Sequence, residues 1–151
     1  MIAVDTNVLV YAHRREVREH ARAHRAVAEL AEGALPWAIP WPCLYEFWSV
    51  VTNPRIWREN ASTPAEAWAQ LEAWLGSPTL RLLAEADGEG RQDQGFAAIL
   101  GGLLQRPRVR GPVVHDARVA ALCLFHGVEV LLSRDRDFAL FPELKVRNPV
   151  A

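Results

Sequence analysis

A chain of 151 residues, 50% hydrophobic and 23% charged, is long enough to bury a sizeable core and too apolar to be disordered, so one domain over residues 1–151 is expected. A net charge of −1 excludes a bulk basic field for nucleic acid or for an anionic membrane surface. Cys43 and Cys123 lie far apart inside apolar runs, which excludes a disulfide framework or a structural zinc site and reads as two reduced core thiols. No apolar stretch reaches the roughly eighteen residues of a membrane span. The amino terminus also lacks a basic flank ahead of a long apolar run, so a cytoplasmic protein is expected. Lys145 is the only lysine; arginine suits bidentate phosphate contacts, although genome composition accounts for the excess as simply.

The first element is Met1-Ile2-Ala3-Val4, a short buried strand that delivers Asp5 at its carboxyl end. Val8 to His13 follow as a helix, with Thr6 or Asn7 as the expected cap. Residues 18–32 interleave Ala21, Ala23, Val27, Leu30 and Ala31 with charges, an amphipathic helix stopped by Gly33. His20 and His24 are four apart on this helix, and the charges around them read as solvated surface. A brief strand before Trp41 leads into a helix opening at Pro42 and ending near Asn53-Pro54. This helix is apolar almost all round, so it is expected to be buried, with Glu46 as its one ionisable group. A buried acid must be paired, protonated or bound to a cation.

Thr63-Pro64-Ala65-Glu66 is a capping box with proline in the first turn. Its helix is expected to bury Trp68, Leu71, Trp74 and Leu75 on one side and to stop at Gly76. Thr79 to Leu83 form a strand; Gly88 and Gly90 then lead into a small-residue helix over Phe96 to Leu104 that can pack closely. Residues 106–112 are a basic turn. Asp116 opens a helix closed by Gly127, where the helix dipole alone favours an acid. Val128 to Leu132 is the clearest internal strand. It delivers Asp135 and Asp137 in Ser133-Arg134-Asp135-Arg136-Asp137-Phe138, and a last short strand precedes Pro149. The six tryptophans read mostly as core, with a partner-binding surface as the alternative.

Each acid has an ordinary explanation, but a parallel sheet gathers its strand ends along one edge. Several carboxylates there repel one another unless a hard divalent cation sits among them, and Mg²⁺ or Mn²⁺ suits carboxylates and water. Such a site activates water and steadies charge on a phosphodiester. A glycosidase would use a pair of acids rather than a cluster. No Walker lysine loop, glycine-rich nucleotide fingerprint or serine nucleophile elbow is present.

Ile2-Ala3-Val4-Asp5-Thr6-Asn7-Val8-Leu9-Val10-Tyr11-Ala12 resembles the opening of PIN-domain proteins. The stretches from Ile39-Pro40-Trp41 to Glu46-Phe47 and from Val50 to Ile56, His115-Asp116-Ala117-Arg118-Val119-Ala120-Ala121, Ser133 to Phe138, and Asn148-Pro149 resemble the VapC-type toxin ribonucleases in the same order. Residues 57–112 carry no sharp motif. The resemblance implies a three-layer α/β/α sandwich with a central, mostly parallel sheet. It also implies a Mg²⁺- or Mn²⁺-dependent endoribonuclease that leaves a 5′-phosphate and a 3′-hydroxyl. Its core acids would be Asp5, Glu46 and Asp116, with Asp135 as the fourth and Asp137 as the alternative, binding through water or capping the following turn. Thr6, and less directly Asn7, would support them by hydrogen bonding. Arg14, Arg15, Arg106, Arg108, Arg110 and Arg134 would guide the RNA backbone.

The implied partners are an RNA substrate, a second copy in a homodimer, and a VapB-type antitoxin. The antitoxin's apolar segment would cover the tryptophan-rich helices, with an arginine or acidic tail near the cleft. A catalytically silent PIN-scaffold binding module and a metal-dependent DNA nuclease are the rival readings, and the residues alone do not separate RNA from DNA.

Overall fold

The computed structural model describes residues 1–85 and 95–151; the Gly88 and Gly90 expectation lies outside the described residues. Among the described residues five strands form one sheet in the order β3-β2-β1-β4-β5: β1 (Ile2–Val4), β2 (Trp37–Pro40), β3 (Leu80–Leu83), β4 (Val130–Leu132) and β5 (Val146–Arg147). Every pairing is parallel, with Ile2 opposite both Trp37 and Val130. Such a sheet needs cover on both faces. Helices supply it, giving a three-layer α/β/α sandwich in which Ala3, Val4, Ala38, Ile39 and Leu131 are fully buried. The chain winds outward from β1 to β3 on one side, then returns to β4 and β5 on the other. The winding therefore reverses beside β1, and the crevice beyond the strand ends at such a reversal is where α/β folds bind ligands.

Seven α-helices are present among the described residues: α1 (Thr6–His13), α2 (His20–Glu32), α3 (Trp41–Val51), α4 (Pro54–Trp57), α5 (Pro64–Leu75), α6 (Phe96–Leu104) and α7 (Val113–Phe125). The capping box at Thr63 forms in both directions, as the local chemistry dictates. Gly127 follows α7 with φ +69°, a left-handed conformation that suits glycine. Cys43 and Cys123 are free and buried. No helix among the described residues is long and apolar enough to cross a membrane.

Three local expectations are corrected. The cap of α1 is Asp5 itself, whose carboxylate accepts the Thr6 N–H at 2.8 Å. Helix α3 is not buried all round: Cys43, Leu44, Phe47 and Val51 face the core, while Tyr45, Glu46 and Ser49 face water. On α5 the buried set is Ala67, Leu71 and Trp74, and Trp68 and Leu75 are exposed. Helix α6 packs along α7 as expected, but among the described residues no atom lies within 4 Å of where a Cβ of Gly101 or Gly102 would stand, so these two glycines are not what permits the contact. Of the six tryptophans, Trp37 and Trp74 are core, Trp48 and Trp57 are half-buried, and Trp41 and Trp68 are exposed.

Candidate metal centre

The β1–β4 pairing continues one residue past the strands, with Asp5 N–H donating to Leu132 O at 3.0 Å. That bond brings Asp5 beside Ser133, whose hydroxyl donates to Asp5 Oδ2 at 2.6 Å. The same hydroxyl accepts from Asn7 Nδ2 at 3.2 Å and from Asp135 N–H at 3.0 Å. Asn7 Nδ2 also donates to Asp5 Oδ2 at 3.0 Å, and Asn7 Oδ1 accepts Arg134 N–H at 3.0 Å. Asp5 is thus a buried carboxylate held by neighbours on both of its oxygens, with the Cys43 thiol 3.6 Å from Oδ1. Burial pushes the Asp5 carboxyl up; the hydrogen bonds from Ser133 and Thr6 work against that rise, and the charge of Glu46 adds to it. The Cys43 thiol is itself driven well above its ordinary range by burial and by Asp5, so it acts as a donor.

Glu46 reaches the same place from α3. It is exposed rather than buried, because it sits on the water-facing side of that helix, and Thr6 Oγ1 donates to its Oε2 at 2.9 Å. Asp116 arrives from the first turn of α7 and is half-buried. Burial raises its carboxyl from 3.8 to about 7, helped by the charges of Asp135, Asp5, Asp137 and Glu46. Asp135 follows β4 and caps the 3₁₀ turn Arg136–Leu140, accepting Asp137 N–H at 2.8 Å. The capping role expected of Asp137 therefore belongs to Asp135.

A cavity of about 380 Å³ is lined by Asp5, Glu46, Asp116 and Asp135, together with Thr6, Asn7, Tyr11 and Trp57. Asp137 does not line it. One oxygen each of Asp116, Asp135 and Asp137 nevertheless lie within 4.8 Å of one another. No arginine, lysine or histidine lines the cavity among the described residues, so its negative charge has no protein counterion there. An all-oxygen, anionic donor set of this kind fits a hard divalent cation, and Asp5, Glu46, Asp116 and Asp135, with Asp137 beside the last two, are the residues that could hold it.

The arginines divide. Arg134 adjoins the site: its guanidinium donates to the Tyr11 hydroxyl at 3.1 Å and to Glu19 at 2.7 Å. Arg14 does not, which corrects its expected place on the RNA path. It is 5% exposed, pairs with Glu16, donates to Ser62 and lies 4.0 Å over the Trp57 ring. Arg15 is exposed on a separate groove that also holds His13, His20 and His24. Arg106 is engaged by Glu143 and by Leu140 O, Arg110 donates to Pro107 O, and Arg108 is exposed on the same turn; none of the three lines the cavity.

Sequence reasoning missed Ser133, which joins Asp5, Asn7 and Asp135. The available signal was a small hydroxyl residue at the end of β4, two residues before an acid and beside the β1 end. Tyr11 and Trp57 were missed as walls of the cavity because their place depends on how α1 and α4 meet.

The PIN domain family model matches residues 2–144. A VapC ribonuclease from Mycobacterium bovis, Mb2897, is 35% identical over 150 residues, covering 99% of this chain and 96% of that protein. Ribonuclease VapC48 of Mycobacterium tuberculosis is 29% identical over 145 residues, with 96% and 94% covered. Among solved structures, the sarcin–ricin-loop-cleaving toxin VapC20 of M. tuberculosis superposes with a TM-score of 0.68 at 20% identity, over 98% of this chain and 100% of that one. VapBC2 from Rickettsia felis, bound to a DNA fragment from its promoter, gives 0.64 at 17% identity, over 98% of each chain.

Proposed function

This chain belongs to the PIN domain family, and from that premise we infer that it is a VapC-type ribonuclease, the toxin of a toxin–antitoxin pair, hydrolysing phosphodiester bonds in RNA. The observation that carries the reading is the meeting of four carboxylates from four separate elements in one cavity without a countercharge among the described residues. Mg²⁺ or Mn²⁺ held by Asp5, Glu46, Asp116 and Asp135 would supply the Lewis acidity that activates water and steadies charge on the phosphodiester.

The chain's own groups do the positioning. Ser133 and Asn7 fix the Asp5 carboxylate, and Thr6 fixes Glu46, so neither acid has to be ordered when a ligand arrives. Asp116, raised to about 7 by burial and by the acids around it, is only partly ionised near neutral pH and would become fully ionised on holding a cation. Arg134, at the edge of the site, offers a guanidinium to an approaching phosphate. The products are a 5′-phosphate and a 3′-hydroxyl.

The partners in this reading are RNA, a VapB-type antitoxin and a second copy in a homodimer, and the setting is the cytoplasm. The test is cleavage of RNA and of DNA strands of the same sequence with Mg²⁺, Mn²⁺ or EDTA. RNA cleavage that needs the cation and is lost in Asp5→Asn is the expected result. Cleavage that persists at full rate in that variant would overturn the site, and cleavage of DNA alone would overturn the substrate.

A further inference from the structure

The acid cluster opens on two sides. Besides the cavity that runs toward Tyr11 and Trp57, a second cavity of about 530 Å³ shares Asp5, Glu46 and Asp116 and extends past Tyr45, Ser49, His115 and Arg118. A chain threaded from one cavity to the other would carry its phosphodiester past the acids with a neighbouring nucleotide on each side.

Tyr45 stands directly before Glu46 on the water-facing side of α3 and is 65% exposed. Trp41, one helical turn earlier, is 37% exposed; the two rings are stacked, with centroids 5.9 Å apart and planes 25° apart. The stack holds Tyr45 in orientation while leaving most of it in water. The core of α3 is completed by Cys43, Leu44, Phe47 and Val51 without it. An oriented exposed aromatic next to an acid cluster suits an unpaired nucleobase, because every base offers a π-face. The rim also carries His115 and Arg118, the latter ion-paired with Glu85.

We propose that Tyr45, steadied by Trp41, is a stacking platform for an unpaired nucleobase of the RNA flanking the scissile phosphate. This rests on the ribonuclease reading above and deepens it. Duplex RNA keeps its bases stacked and cannot offer one to Tyr45.

The experiment uses the full chain in Ca²⁺ buffer with a short single-stranded RNA carrying 2-aminopurine, read by fluorescence and by titration. The wild type is expected to quench the probe. Tyr45→Ala should lose the quenching and weaken binding from about 5-fold to about 150-fold, the span of one base–aromatic stack. Tyr45→Trp should restore both, and affinity for an abasic strand of the same length should not change. Equal weakening on the abasic strand, no weakening at all, or a wild type that takes up no RNA overturns the proposal. So does a loss of binding in Tyr45→Ala that accompanies conversion of a dimer to a monomer in sedimentation, since the aromatic pair would then face a second copy. The parent reading fails separately: a wild type that quenches the probe yet cuts no RNA in Mn²⁺ supports the platform and removes the nuclease.

Discussion

Replacing Asp116 by asparagine should make the cation-free protein more stable at pH 8 and less responsive to Mn²⁺. In the folded wild type the Asp116 carboxyl is raised from 3.8 to about 7, first by burial and then by the acids around it. Below pH 3.8 both folded and unfolded chains hold this proton, and the group contributes nothing. Between 3.8 and about 7 the unfolded carboxyl is ionised while the folded one keeps its proton, so stability falls as pH rises through that window and stays low above it. At full strength the raise corresponds to about 4 kcal/mol. Asp116 is half-exposed, and solvent screening reduces this to about 1–2 kcal/mol. For a domain of this size that is roughly 3–6 °C in Tm.

Differential scanning fluorimetry in EDTA from pH 4.5 to 8.5 reads the effect. The wild-type Tm should fall relative to Asp116→Asn from pH 4.5 to about 7, leaving the variant more stable at pH 8. Adding Mn²⁺ should then raise the wild type by about 2.7 kcal/mol at a hundredfold excess over Kd. The variant should gain far less. A variant that is less stable than wild type at pH 8 in EDTA, or a difference that does not change with pH, refutes the account of the cluster as mutually repelling acids awaiting a cation.

Ser133→Ala removes the hydroxyl shared by Asp5, Asn7 and Asp135. It should cost about 1–3 kcal/mol in urea unfolding and weaken Mn²⁺ binding in calorimetry by roughly 10–100-fold. Thr6→Val keeps the side chain's shape but removes the bond to Glu46, so cleavage should drop by about tenfold or more while the fold holds. Arg14→Ala and Arg134→Ala should separate the two arginines. The first should lower stability by about 1–3 kcal/mol through its lost contacts with Trp57 and Ser62, and the second should raise KM for RNA with little change in Tm. Thr63→Ala breaks the capping box far from the acids, and should cost about 0.5–2 kcal/mol without touching cleavage.

Much of the molecule is legible in the chain because it depends on neighbours in sequence. Thr63 and Glu66 are three residues apart and find each other in any context that forms a helix. Gly127 stops α7 because a left-handed residue ends a helix there. The apolar run before Asp5 and the one before Ser133 read as buried strands, and strands that close on acids point to one edge of a parallel sheet. The four acids and their order follow from that pattern together with the family resemblance.

What the tertiary structure decided is everything set by pairing across the chain. The register of β1 against β4 puts Ser133 on Asp5, an approach across 128 residues that no local pattern encodes. Glu46 faces water because only one side of α3 meets the core, although the helix is apolar on nearly every side. Arg14 is buried because Trp57, Ser62 and Glu16 converge on it. Asp135 rather than Asp137 lines the cavity because the 3₁₀ turn that Asp135 itself caps carries Asp137 to the outer side of the cluster. Hydrophobic burial is non-directional, so a sequence states how much apolar surface must be hidden, and only the packed elements state which side chains are left facing the site.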